Sequence, residues 1–350
     1  MRSVETADVL REELQAHPAT RAWTRLRPEG VPREIRILKE PSKGIKKSAV
    51  YWLAGAGPGG RPVIAKYSRR AAANVEALIY GEILQELPVP APLYYGTVEE
   101  KGPFCWLFME YVPGERYSPA RREHRRLAGS WIAKLHAEAA TPSRDRRLPD
   151  RGLADHLGTL GQSSRVIRGH VDDPSLAAAD ASTLHRLAAL LAEVQSCWSR
   201  LEAICSELPH TLVHGDLVRK NLRVDVAGNG PGFVVAFDWE KAGWGPPAVD
   251  LARAVDSERF AANACLDSYR STSRSAASLT PKQLERQAAA GTVLRCLTAI
   301  EWTSQSLGPP WQEAVDDGRG QFLKKRAKTM PRLEIYLSWL ETSWRGMVVA

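Results

Sequence analysis

Several things are scarce or missing in this 350-residue chain. No uncharged apolar run approaches the ~20 residues that span a bilayer, so no helical span is expected, nor a membrane partner. The first residues, Met1-Arg2-Ser3-Val4-Glu5-Thr6-Ala7-Asp8, carry acids and no apolar stretch, so they do not read as a secretory signal. The five cysteines (105, 197, 205, 265 and 296) are scattered, with no C-x-x-C. That excludes a zinc or disulfide framework and points to reduced thiols in a cytoplasmic protein. There is no G-x-G-x-x-G and no internal repeat. Acids are outnumbered: 48 Lys and Arg against 40 Asp and Glu give a formal charge of +8. The cations fall in short runs at 43–47, 121–126, 144–147 and 324–328. We read these as solvated surface rather than a nucleic-acid footprint. A basic balance is also a less natural host for a polycationic substrate.

What is present is a constellation around one short segment, His214-Gly215-Asp216-Leu217-Val218-Arg219-Lys220-Asn221. Asn221 follows Asp216 by five positions, and Asp238 ends the apolar run Phe233 to Phe237. Phosphoryl transfer needs a carboxylate to accept the hydroxyl proton, and an amide and a second carboxylate to hold Mg²⁺ on the nucleotide phosphates. The spacing H-x-D-x-x-x-x-N supplies the first two on one loop. Asp216 is therefore the expected base, and Asn221 and Asp238 the expected metal ligands. Glu240 is a possible contact to a second metal. Arg219 and Lys220 either stabilise charge at the γ-phosphate or face solvent. His214 is expected to pack beneath the loop.

Periodicity outlines the architecture. A helix at Ala7 to Leu14 and an irregular connection lead to strands at Ile35 to Lys39, Ala49 to Leu53 and Pro62 to Tyr67. A helix over Ala72 to Leu87 stops at Pro88-Val89-Pro90, and strands at Leu93 to Val98 and Phe104 to Tyr111 follow. Beyond Pro113 the pattern is mostly helical: Arg125 to Ala140, a weakly periodic insertion at 145–180, one long helix from Ser182 to Leu208, then a hairpin at Leu222 to Val226 and Phe233 to Phe237. The class is α+β, with a small antiparallel N-lobe (1–112) and a larger helical C-lobe (113–350).

His214-Gly215-Asp216 with Asn221, Asp238-Trp239-Glu240, Asp250-Leu251-Ala252 and Leu135-His136-Ala137 together resemble the aminoglycoside phosphotransferase and choline kinase-like family, small-molecule kinases with the protein-kinase fold. The resemblance covers roughly residues 40–255. It implies that Lys66, in Val63-Ile64-Ala65-Lys66, clamps the nucleotide phosphates. It also implies that Glu76 holds Lys66, with Glu82 the competitor. Ser48 of the degenerate loop 42–48 would face the phosphates. Met109 would border the base, while Glu110 C=O and Val112 N–H would read it. Asp250 would be structural, a role an N-cap suffices to explain. Gly215 in place of an Arg, and a short span from Asp238 to Asp250, disfavour a protein kinase. The expected activity is transfer of the γ-phosphoryl group of ATP or GTP, with Mg²⁺, to a small-molecule hydroxyl, first of an antibiotic or related natural product and second of a cellular metabolite. A non-catalytic nucleotide- or nucleic-acid-binding protein is the rival reading. The C-terminal tryptophans (Trp302, Trp311, Trp339, Trp344) either stack on an acceptor or pack a core.

Overall fold

The computed structural model describes residues 12–39, 48–139, 147–225, 232–252, 263–308 and 319–349. The start of the expected first helix, most of the loop 42–48, the 226–231 turn and Trp311 lie outside these residues. The described residues form two compact units. No described helix is long and apolar enough to cross a membrane.

The first unit comprises residues up to Tyr117 together with Lys220–Lys241. Its main sheet has strands β1 (Glu34–Lys39), β2 (Ala49–Ala54), β3 (Val63–Arg69), β4 (Tyr94–Glu99) and β5 (Phe104–Glu110) in the order β1-β2-β3-β5-β4, all antiparallel. β5 is flanked on both sides and buried from Phe104 to Met109, which is why it reads as a continuous apolar run. On β3 the pleat sends Val63, Ala65 and Tyr67 to one face and Ile64 and Lys66 to the other.

The first of those faces is covered by helix α1 (Pro18–Leu26), in a segment expected to be irregular. Pro18 starts this helix, where a missing N–H costs nothing, and the His17 side chain accepts from Ala19 N. Trp23 is fully buried against the sheet, and its Nε1 donates to Ala56 O at 3.0 Å. Helix α2 (Arg70–Leu78) continues through a π turn at Ile79–Ile83 to Glu86. Strand β6 (Glu115–Arg116) pairs with β8 (Leu222–Asp225), which pairs with β9 (Phe233–Ala236). This pairing places the hairpin Leu222–Ala236 with the first unit, which runs to Tyr117 and takes in the later segment Lys220–Lys241.

The second unit comprises Ser118–Arg219 and the chain from Ala242 onward. Its helices are α3 (Arg122–Ala139), α4 (Leu153–Arg168), α5 (Ala178–Ser196), α6 (Trp198–Cys205), α7 (Ala248–Leu251), α8 (Ala264–Thr272), α9 (Pro281–Ser304) and α10 (Arg319–Val349). A short pair, β7 (Thr211–Val213) with β10 (Gly243–Gly245), is antiparallel. The expected insertion at 145–180 contains helix α4. Its core positions include His156, Ser163 and Ser164 beside Leu160 and Ile167, and these polar residues masked the period. The expected long helix over 182–208 is two helices, broken at Cys197 (φ −109°, ψ 24°). Helix α9 begins with a capping box, in which Thr280 accepts from Gln283 N and the Gln283 side chain accepts in return from Thr280 N. From Gln287 onward most of its positions are buried. All five cysteines are free, and all but the half-buried Cys197 are buried.

Candidate active site

In the first unit the site is built around one buried ammonium. Lys66, 5% exposed, projects from β3 towards α2. Its Nζ lies 2.7 Å from Glu76 Oε2 and 2.5 Å from Asp238 Oδ1, with Glu240 Oε2 at 3.9 Å. Glu76, fully buried, also accepts from Trp239 N at 3.2 Å. Of the two carboxylates weighed from the sequence, Glu76 is thus the one on Lys66. Burial works against charge on Lys66, but Glu76 and Asp238 outweigh it and raise its pKa. Burial pushes the Glu76 carboxyl up to about 7 against the pull of Lys66. Burial would also raise Asp238, yet Lys66, Lys39 and Lys220 hold it below the ordinary carboxylate value.

Asp238 stands at φ 68°, the one non-glycine residue with positive φ among the described residues. Short polar side chains tolerate this left-handed region, and such outliers persist where surrounding contacts fix them. Here the Lys66 ion pair is one such contact.

A cavity of about 430 Å³ opens beside these groups. Leu38, Val50, Ile64, Met109 and Phe237 give it an apolar part, and Lys39, Lys66, Lys220 and Arg223 a cationic part. Asn221, Asp238 and Val112 also line it. An apolar slot beside convergent charges suits a flat base carrying an anionic tail. Met109, Val112, Lys66, Glu76, Lys220, Asn221 and Asp238 therefore share one cavity. Ser48 and Glu110 are not among its lining residues. The Ser48 hydroxyl accepts instead from Lys39 Nζ at 2.9 Å. The Glu110 carboxylate pairs with Arg61, and its N–H donates to Leu93 O.

In the second unit, Asp216 follows β7. The loop is held from below by Asp250, 1% exposed. Asp250 Oδ2 accepts from His214 N at 2.8 Å, and Oδ1 from Gly215 N at 3.0 Å. His136 Nε2 lies 3.3 Å from Asp250 Oδ2, and its Nδ1 3.1 Å from the Tyr269 hydroxyl. Burial opposes the charge on Asp250, but His136 and His214 keep its pKa lowered. Asp250 lies inside α7, whose N-cap is Pro247, so the expected N-cap role is replaced by a loop-holding one. A carboxylate offers two acceptor atoms, and each here accepts from the backbone just before Asp216. His214 is buried, and its Nδ1 accepts from Asp216 N at 3.3 Å. Gly215 adopts φ 77°, a conformation that explains glycine at this point of the loop. Arg219 is exposed.

One residue escaped the sequence reading. Arg295 of α9 places Nη2 3.3 Å from Asp216 Oδ1. Its signal was there to be used, because it is the only charged residue between Arg286 and Glu301.

No curated protein matches the sequence. The fold is similar to that of a wild-type aminoglycoside 2'-phosphotransferase-IIIa solved with GDP, at 12% identity over 91% of this chain and 97% of that one, TM-score 0.60. It is similar also to a spectinomycin phosphotransferase solved with ADP and spectinomycin (10% identity, 97% and 98% covered, TM-score 0.56). A Plasmodium vivax ethanolamine kinase gives 15% identity, 87% and 83% covered, and TM-score 0.52. These likenesses establish the α+β kinase-like fold. Over residues 45–280 the sequence matches the model of the phosphotransferase enzyme family (APH), and the chain belongs to that family.

Proposed function

We propose that this phosphotransferase moves the γ-phosphoryl group of ATP or GTP to a hydroxyl of a small molecule, with Mg²⁺ as cofactor. The observation that carries the reading is the Lys66–Glu76–Asp238 network opening on a cavity lined by both apolar and cationic side chains. Structural relatives solved with GDP and with ADP support a nucleotide as its occupant.

The donors present fit Mg²⁺. Among the described residues no three His, Cys, Asp or Glu cluster as a metal cage. The cavity instead offers one amide, Asn221, and one carboxylate, Asp238. Mg²⁺ favours hard oxygens and few protein ligands, leaving other positions to phosphates and water. When bound, Mg²⁺ supplies charge neutralisation on the phosphate oxygens.

The protein's own groups do the rest. Lys66 holds the phosphates, kept cationic by its two carboxylates. Asp216 accepts the acceptor's hydroxyl proton as the new O–P bond forms and the bond to the β-phosphate oxygen breaks. Arg219 and Lys220 neutralise developing charge. Met109 and Val112 border the base. An antibiotic or related natural product is the first acceptor class, in line with the spectinomycin and aminoglycoside names of two relatives. A cellular amino alcohol or sugar is the second, in line with the ethanolamine kinase.

The test is a panel of hydroxylated antibiotics and metabolites incubated with ATP or GTP and Mg²⁺ and scored by mass for one added HPO₃. Product that requires nucleotide and Mg²⁺ is expected. No product from any acceptor, together with no binding of Mg·ATP or Mg·GTP, overturns the reading.

A further inference from the structure

From Gln287 onward helix α9 is mostly interior, yet this part carries an accessible stripe. From Val293 to Ser304, Arg295, Thr298 and Ala299 are half-buried and Trp302 is 50% exposed, while most of the other positions are buried. These four fall at i, i+3, i+4 and i+7, so they share one face. Glu301, also accessible, lies one position round the helix and accepts a hydrogen bond from Gln305.

Both ends of the stripe are unusual. At one end Arg295 meets the candidate base, Nη2 to Asp216 Oδ1 at 3.3 Å. A guanidinium presents five N–H donors in a planar fork. The rest of this fork has no other hydrogen-bond partner among the described residues, and the side chain is 21% exposed. At the other end Trp302 is 50% exposed, the more exposed of the two tryptophans of this unit, with Trp339 at 36%, that stand out from the buried Trp131, Trp198 and Trp344. One turn before Arg295, Gly291 lets α9 pass directly over α7, since a Cβ there would stand 1.7 Å from Ala248 O. Helix α7 carries Asp250, which holds the Asp216 loop. The same close approach therefore fixes the base and brings the cation to it.

We propose that the face Arg295–Thr298–Ala299–Trp302 is the acceptor platform, with Arg295 selecting by charge. The acceptor it fits carries an anionic group, a carboxylate or a phosphate monoester, near the reacting hydroxyl, and a sugar or other flat face that stacks on Trp302. A polycation is the wrong class, because it would bring like charge against a guanidinium already seated at the base. Arg295 is a specificity-determining residue in this scheme. The proposal rests on the kinase reading and narrows its substrate.

The test uses the full chain with Mg·ADP bound, titrated calorimetrically with glucuronate, glucose 6-phosphate, glucose, glucosamine and kanamycin. Wild type is expected to bind the two acids at least tenfold more tightly than glucosamine or kanamycin, and the two acids separate carboxylate from phosphate. Arg295→Glu is expected to reverse the order of acid and amine. Trp302→Ala is expected to weaken every sugar about tenfold without changing their order. A residue that merely positions Asp216 would leave the order untouched and lower turnover equally for all acceptors. The same order in wild type and Arg295→Glu, a preference for kanamycin, or no binding by any probe overturns the proposal. The affinity for Mg·ADP, read before any sugar is added, tests the kinase assignment separately.

Discussion

Lys66 Nζ bridges Glu76 Oε2 at 2.7 Å and Asp238 Oδ1 at 2.5 Å, joining a strand, a helix and the end of a hairpin through one cation. Glu76 has no exposure and Lys66 almost none. Removing one partner of such a pair strands the other charge, a cost of about 3–5 kcal/mol. Lys66→Ala is therefore expected to lose stability on that scale in urea unfolding. The double variant Lys66→Met/Glu76→Gln should recover much of it. Both should raise the KM for nucleotide far more than that for the acceptor. Additive losses in the double variant would show that the two do not act as a pair.

Asp238 at φ 68° separates shape from charge. Asp238→Asn keeps a side chain that tolerates the left-handed region, so it adds no backbone cost to the loss of its ion pair with Lys66. Asp238→Val adds the steric cost of a β-branched residue there, about 1–2 kcal/mol more. Both should abolish Mg²⁺-dependent nucleotide binding in calorimetry. Unchanged affinity in Asp238→Asn would move the metal ligand elsewhere.

Asp216→Asn removes proton acceptance and keeps shape. Turnover is expected to fall ~10²–10⁴-fold with nucleotide affinity unchanged. Turnover within about threefold of wild type would exclude Asp216 as the base.

His156 offers a stability test independent of catalysis. It is 6% exposed on α4, and neither ring nitrogen has a hydrogen-bond partner among the described residues. Burial lowers its pKa to about 4, from an ordinary value of about 6.5. The folded state thus binds the proton less readily than the unfolded one. Its contribution is fully present above pH ~6.5 and is lost as pH falls towards ~4, by up to about 3 kcal/mol. Asp250, also depressed, adds a loss only at lower pH, below the ordinary carboxylate value. His156→Phe should flatten the stability profile between pH 6.5 and 4, measured by urea unfolding across that range. An identical slope in the variant would assign the acid sensitivity to other groups.

Legibility followed sequence distance. The Asp216–Asn221 spacing was readable because the loop is short and contiguous. Lys66 was readable from the resemblance carried by the contiguous Val63-Ile64-Ala65-Lys66. Glu76 was legible only as one of two carboxylates on a helix. Choosing between them required the tertiary contact, since Glu76 and Glu82 differ in where the helix turns them.

Other features were silent for the same reason. The contact of Arg295 with Asp216 spans 79 residues, and that of Asp250 with the loop 35 or 36. Helix α4 hid because its buried face holds His156, Ser163 and Ser164, so burial and hydropathy parted company. The chain by itself determined which candidate groups exist and how they are spaced along it: the Asp216–Asn221 loop, Asp238 and Lys66. A covalent spacing of a few residues survives in any fold. Only the tertiary structure decided which charges meet, because a partner tens of residues away is brought near by packing alone. The Gly291 crossing that carries Arg295 to the base is one such packing decision.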